Sequence, residues 1–486
     1  MSNKQRFIKN LSLLYIATFI SKIFALVINI VLVRKLGISI YGAFGFALTF
    51  IAYFTLIADS GLSPYGETII AMNKSNAKIV AGNIFSFNLI LAFISTAIIL
   101  LLVFEVFKFG SIQANMLLLV SFLPIIDVFG FNYVIKALEK NKIIILSIFC
   151  GRLIYLSGII LFVFQKNDYL FAILFFIIGA LVTSAIQFRF VIGLIGKIKL
   201  NFSLRNFKHL AVNGMPFGVA MALLTLYGSL PVLFLKILSS DKNIGYYYMA
   251  GRLVFFISSF IGLIMGAFIP IISDAIKNNN FNKQSFIVSE LLRFNYTFLI
   301  PVCFGGLVLS KSIISVFFGA QYILGAYILD IMLWSTLFMG VSSVFGGYLT
   351  VLQDKKSLII STFISFAAGI FIVPTLIKFY GVYGGAISSP FNELVMMITL
   401  YVLILKKGKN KSEGDKIKLS VDIKNFAKVL LISIVMAFFV RFFNVNLHFN
   451  LVLCIISGVL IFLFLSVIFG TISKEDLKEL NVMLKR

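Results

Sequence analysis

Among the ionisable side chains inside or at the edge of long apolar stretches, eight are the ones whose types and placement could do chemistry. Four are bases: Lys22 within 11–33, Arg152 within 143–164, Arg252 within 246–272 and Arg293 within 286–309. Four are acids: Asp59, Asp127, Asp330 and Glu393. A base facing hydrocarbon at the centre of a bilayer costs about 2.5–3.5 kcal/mol, so each must turn to protein or to water. Two uses fit that demand. The bases can pair with the acids in fixed bridges, or they can hold an anion, with Lys as a compact point charge and Arg as a planar fork of donors. Lys22 and Arg252 have no carboxylate within a helical turn, which favours the anion for them. For Arg152 and Arg293 pairing or snorkelling competes with ligand contact. All four are candidate ligand-binding residues. The acids are candidates for carrying a coupling ion, proton or sodium, because intramembrane carboxylates commonly mark ion pathways.

The elements that position these groups follow from composition. Of 486 residues, 60% are hydrophobic and 12% charged, at a mean hydropathy of +1.05. Soluble domains carry about twice that charge, so water is not the solvent for most of this surface. Apolar stretches of about 20 residues, each long enough to cross roughly 30 Å of hydrocarbon, recur from end to end. They fall near 11–33, 41–58, 83–104, 114–134, 143–164, 170–188, 211–235, 246–272, 286–309, 326–350, 358–377, 385–405, 425–443 and 450–470. The expected fold is therefore all-α and integral to the membrane, with about fourteen transmembrane helices. The first stretch is too long for a signal h-region and has no cleavage site, so it reads as a span. Cys150, Cys303 and Cys454 lie in apolar segments at spacings that match no disulfide framework or metal site.

The formal charge of +24 raises the question of nucleic acid, and the distribution answers it. With the N-terminus inside, 29 of the 42 Lys and Arg fall in cytoplasmic segments and 9 in external ones. That asymmetry is the positive-inside pattern and places both termini in the cytoplasm of a plasma membrane.

The chain also repeats. Ala137-Leu138-Glu139-Lys140-Asn141-Lys142 and Val351-Leu352-Gln353-Asp354-Lys355-Lys356 follow the fourth and tenth spans. Gly179–Ser184 echoes Gly385–Ser389. Arg34-Lys35-Leu36 followed by Tyr41-Gly42 echoes Lys236-Ile237-Leu238 followed by Gly245-Tyr246. A six-span unit is an even number, so both copies enter from one face, and such parallel repeats enclose a ligand between them. The expected organisation is a six-helix lobe at 1–200, a second at 201–405, a basic linker at 406–424, two further helices at 425–470 and an amphipathic tail at 471–486. Six prolines lie inside spans of the second half and predict kinks: Pro216, Pro231, Pro270, Pro301, Pro374 and Pro390.

A cationic chamber inside a membrane protein suits a ligand whose anionic head needs shelter while an apolar tail stays in lipid. A sugar joined by diphosphate to a polyprenyl chain meets both conditions. Tyr15, Tyr227, Tyr246, Tyr247 and Tyr248 are candidates for stacking on sugar rings.

Arg34-Lys35-Leu36-Gly37, Tyr41-Gly42, Asp59-Ser60-Gly61-Leu62, Pro216-Phe217, Ile244-Gly245-Tyr246-Tyr247 and Ala250-Gly251-Arg252-Leu253 resemble signatures of the polysaccharide flippases. These are the O-antigen translocases (Wzx type) of the multidrug/oligosaccharidyl-lipid/polysaccharide exporter superfamily. The resemblance implies fourteen helices in two lobes, alternating access, and export of an undecaprenyl-diphosphate-linked repeat unit across a bacterial inner membrane. It also implies basic cavity residues, matched by Lys22 and Arg252; glycan-assembly proteins are candidate partners. Where many relatives have an acid in the seventh helix, this chain has Gly228-Ser229-Leu230-Pro231. Rival readings are a drug or organic-cation exporter of the same superfamily, a flippase for another lipid-linked precursor, and a membrane polymerase or glycosyltransferase. The external loops are short and carry only Glu105, Asp168 and Asp241, which is little for an enzyme. No nucleotide-binding loop appears, and no cofactor is expected.

Overall fold

The computed structural model describes residues 21–106, 111–278, 280–409 and 422–471, and every regular element among them is helical. The first expected span is described from residue 21 onward, as α1 (21–36). Most of the basic linker, the tail beyond Thr471 and Tyr15 lie outside the described residues. Then follow α2 (Ile38–Asp59), α3 (Leu62–Met72), α4 (Ala77–Glu105), α5 (Ile112–Val120), α6 (Leu123–Val128), α7 (Asn132–Ala137), α8 (Asn141–Phe162) and α9 (Tyr169–Ile195). The second half comprises α10 (Leu204–Leu238), α11 (Asp241–Lys277), α12 (Phe281–Phe317), α13 (Leu324–Val351), α14 (Lys355–Tyr380), α15 (Val382–Lys409), α16 (Ile423–Val445) and α17 (Leu451–Ile468). Among the described residues thirteen stretches are long and apolar enough to cross a membrane, with α5 to α7 forming one of them.

The fourth span is broken where the sequence reads as one helix. Pro124 sits in the first turn of α6, where its missing N–H is no loss, and the chain turns again at Phe129–Phe131 before α7. Thr96 donates to the carbonyl of Ser121 at 2.9 Å, satisfying an acceptor at the first break. The six prolines of the second half all lie within continuous helices.

The chain divides into two compact units. One takes the residues up to Arg252 with Val373–Val382; the other takes Leu253–Ile372 and Tyr383 onward. The sequence places this boundary near residue 200, and the structure moves it because α10 packs on α2, α3 and α4. In the second unit α16 and α17 pack on α12, so they join its core rather than standing apart from it.

The repeat is visible in the backbone. Glu139 and Gln353, 214 positions apart, are both left-handed, at φ 59° and 58°. Lys140 N–H reaches the Ile135 carbonyl and Asp354 N–H the Leu349 carbonyl, both at 2.9 Å, so two equivalent spans end in the same C-cap. A lysine pins each turn: Lys74 bonds Glu139 at 2.8 Å, and Lys407 pairs with Asp354. The hydrogen bond from Lys74 holds Glu139 below its usual value of 4.5. The pair's contribution is therefore present above that pH and fades as pH falls further; exposed as it is, it adds little.

The third motif pair meets in space. A Cβ on Gly42 would strike the Asp241 carbonyl and come within 2.6 Å of the Gly245 nitrogen, and a Cβ on Gly245 would strike the Ile38 carbonyl. Tyr41-Gly42 and Gly245-Tyr246 are thus two faces of one backbone crossing between α2 and the start of α11. At the far end of α2, Gly61 has φ +75° and lies against the backbone of Gly218. Strain and overpacking combine there, so Gly61→Ala should cost about 2–4 kcal/mol, and Gly42→Ala about 1–3 kcal/mol. Gly193→Ala, with open space around it, should be neutral or stabilising. Thermal unfolding of the purified variants in detergent checks the order, and equal stability of all three would refute this packing.

Candidate functional site

Three of the four intramembrane bases come together in the first unit. Arg152 and Arg252 both act electrostatically on Lys22, and Arg252 acts on Arg152. The three come from α1, α8 and α11, and each is half-buried. Arg152 Nη1 and Arg252 Nε are buried with no hydrogen-bond partner among the described residues. Guanidinium N–H groups can only donate, so acceptors are the groups that would suit both atoms.

Aromatic residues hold the cluster in place. The Arg252 guanidinium lies 4.2 Å from the Tyr248 ring centroid, one helical turn earlier on α11. The Tyr248 ring stands 5.5 Å from that of Tyr41 and packs over Gly45, where a Cβ would lie 2.7 Å from Cγ. Tyr41, wholly buried, donates to Asn29 Oδ1 at 2.6 Å, and its hydroxyl is within hydrogen-bonding reach of Arg252. Tyr155 is buried beside them, its hydroxyl without a hydrogen-bond partner among the described residues. Tyr246, Tyr247 and Tyr248 are 5%, 8% and 9% exposed, which corrects the sugar-stacking expectation: these rings are core, and Tyr248 already faces a cation.

Arg293 is placed elsewhere. In the second unit it pairs with Glu290 at 3.6 Å and donates to the Thr471 carbonyl at 3.0 Å, while Lys428 donates to the Phe469 carbonyl at 3.1 Å. Two cations thus satisfy carbonyls at the C-terminal end of α17. Glu290, Arg293 and Thr471 border a cavity of about 550 Å³, otherwise lined by apolar groups such as Phe298, Pro301, Met436 and Phe462.

The acids do not join the three bases as a set. Asp59 accepts from the Ser63 backbone N–H at 3.2 Å and from its hydroxyl, and lies within electrostatic reach of Asp127. Eighteen residues of α2 separate Asp59 from Tyr41, about 27 Å of helix. Asp330 interacts with Ser310 and Lys311, and Glu393 accepts from Ser342 at 3.2 Å, all within the second unit. Sequence reasoning named the three clustered bases but missed Asn29 and Tyr155, whose only signal was a polar atom in an apolar stretch, and quoted Tyr41 as part of a motif without a role at the site.

Fold and site together define a polytopic helical membrane protein with a cationic cluster inside one of its units. The model of the polysaccharide biosynthesis protein family matches residues 7–276, and the MatE family model matches residues 216–375. The chain belongs to the polysaccharide biosynthesis protein family, and its all-helical fold is that of the MOP superfamily. Among solved structures, the lipid II flippase MurJ in an inward closed conformation is similar at a TM-score of 0.76 and 18% identity, over 94% of this chain and 98% of that one. An inward-facing multidrug resistance MATE family transporter of the MOP superfamily matches at 0.65 and 15%, over 81% and 96%. At these identities the likeness is one of fold. The "Probable low-salt glycan biosynthesis flippase Agl15" of Haloferax volcanii is 22% identical over 169 residues, 35% of this chain. That match spans 36% of the relative's own length.

Arg293 therefore serves the helix packing of the second unit. Arg293→Met should lower stability by about 1 kcal/mol, because it removes a half-buried ion pair and the donor to the Thr471 carbonyl. Glu290→Gln with Arg293→Met should recover part of that loss in thermal unfolding. A stable Arg293→Met protein that binds ligand poorly would move Arg293 into the site.

Proposed function

We propose that this protein is a flippase that carries a lipid-linked oligosaccharide across a bacterial inner membrane, with the diphosphate received by Lys22, Arg152 and Arg252. One observation carries the reading: three like charges gathered in one unit, two of them with buried N–H groups unpaired among the described residues. A diphosphate brings negative charge and many acceptors to such a place, and charge-assisted bonds there are about twice as strong as neutral ones. The similarity to the lipid II flippase MurJ and to the probable glycan biosynthesis flippase of Haloferax supports the reaction class. The finer cargo is an undecaprenyl-diphosphate-linked repeat unit of an O-antigen or capsule. An organic-cation exporter is the competing reading, favoured by the multidrug transporter among the similar structures. A site holding three cations repels such a cargo.

Arg252→Ala and Lys22→Ala should reach the membrane at normal levels, since removing a charge from a repelling set does not harm the empty protein. Surface glycan should fall by about tenfold or more, the equivalent of losing one charged hydrogen bond of 1.5–3 kcal/mol. Lys22→Arg should retain activity where Arg252→Lys does not, because only the fork binds two oxygens at once. Normal glycan at normal protein levels would remove these residues from the site. A change in dye tolerance with unchanged glycan would favour the cation exporter.

Both termini are proposed to face the cytoplasm. Reporter fusions after Asn446 should then read outside and those after Lys428 inside; an inverted pair would overturn the orientation.

A further inference from the structure

Arg252 has to be held against its neighbours. Lys22 and Arg152 push it away, and no ion pair engages it among the described residues. What it does have is aromatic and hydroxyl contact, arranged with a definite polarity. Its guanidinium lies 4.2 Å from the Tyr248 ring centroid, on a ring that Gly45 and Tyr41 back from α2. Its N–H groups can only donate, so the nearby Tyr41 hydroxyl can face them only as an acceptor. The Tyr41 proton is then directed to Asn29 Oδ1 at 2.6 Å. That acceptor role leaves the Asn29 amide to donate, as it does, to the Ala25 carbonyl at 2.5 Å. A one-way chain of donors thus runs from Tyr41 on α2 into α1, and ends on a helix carbonyl.

We infer that Tyr248 and Tyr41 are positioning residues: together they fix the Arg252 guanidinium so that its unpaired Nε is presented to an anionic group. Tyr248 supplies the negative face of its ring, and Tyr41 orients the fork through the Asn29 relay. Neither touches the cargo. The inference rests on the reading of the three bases as a diphosphate site, and its test separates the two.

The full-length protein in detergent is titrated with polyprenyl diphosphate. Tyr248→Leu should weaken binding by about tenfold, and Tyr248→Phe, which keeps the ring face, should stay within about twofold of the parent. Tyr41→Phe keeps the packing and loses the relay, and should weaken binding by about threefold to tenfold. In an Arg252→Gln background none of these changes should matter further, since there is no cation left to position. A readout that needs no ligand accompanies the titration: phenylglyoxal labelling of Arg252, followed by peptide mass spectrometry. Labelling should speed up in Tyr248→Leu and remain at the parent rate in Tyr248→Phe. Equal labelling in both, or losses that add to Arg252→Gln, would overturn the positioning role. Faster labelling in Tyr248→Leu with no binding of the diphosphate by the parent would uphold the positioning role and overturn the anion site.

Discussion

Three cationic side chains in one helical unit of a membrane protein repel one another, and each costs about 2.5–3.5 kcal/mol if it meets hydrocarbon. Much of the first unit can be read as the means of keeping them together. The Tyr248 face offsets up to about 2 kcal/mol of that burden for Arg252 where water is excluded. Such a contact requires α2 and α11 to run closer than ordinary side chains allow. Gly42 and Gly245 provide the approach: each would drive a Cβ into the other helix's backbone, so only two glycines permit the crossing. One turn along, Gly45 gives the Tyr248 ring its seat. Charge, aromatic contact and glycine spacing are one arrangement, and altering any one of them disturbs the others.

Much of this was legible in the sequence because membrane helices advertise themselves. Runs of about 20 apolar residues gave the spans and the all-helical class, and a charge inside such a run is conspicuous. The repeat was legible for a similar reason. Glu139 and Gln353 differ in type yet share a left-handed backbone, because the surrounding pattern of apolar residues and following lysines dictates the same helix ending. The break of the fourth span at Ser121–Phe122 was not legible, since an apolar run with one proline does not say whether the helix bends or stops. The unit boundary was missed because it depends on which helices α10 packs against. Periodicity along one helix does not contain that information.

At the site, residue type alone did not fix what each group faces. Tyr246–Tyr248 read as rings free to stack on sugar; in the structure they are buried, and one face of Tyr248 is taken by Arg252. Arg152 read as a candidate ligand residue for which pairing or snorkelling competed, and it stands within electrostatic reach of Lys22 and Arg252. In both cases the missing fact is the rotation of one helix about its axis relative to its neighbours, set by contacts hundreds of residues away in sequence.

Arg252 and Arg293 show what decides the role of a buried base. Both are arginines within apolar helices, and each carries the same five donors. Arg293 finds a carboxylate at 3.6 Å and a helix-end carbonyl at 3.0 Å, both from its own unit, so its charge and part of its fork are answered by the protein. Arg252 finds a ring face and a hydroxyl, which attract a cation without neutralising it, and other cations beside it. A base answered by an anion is finished as part of the structure. A base answered only by dipoles and quadrupoles keeps its net charge, and with Lys22 and Arg152 adding theirs, this is the place where we propose that a polyanion from outside the chain is received.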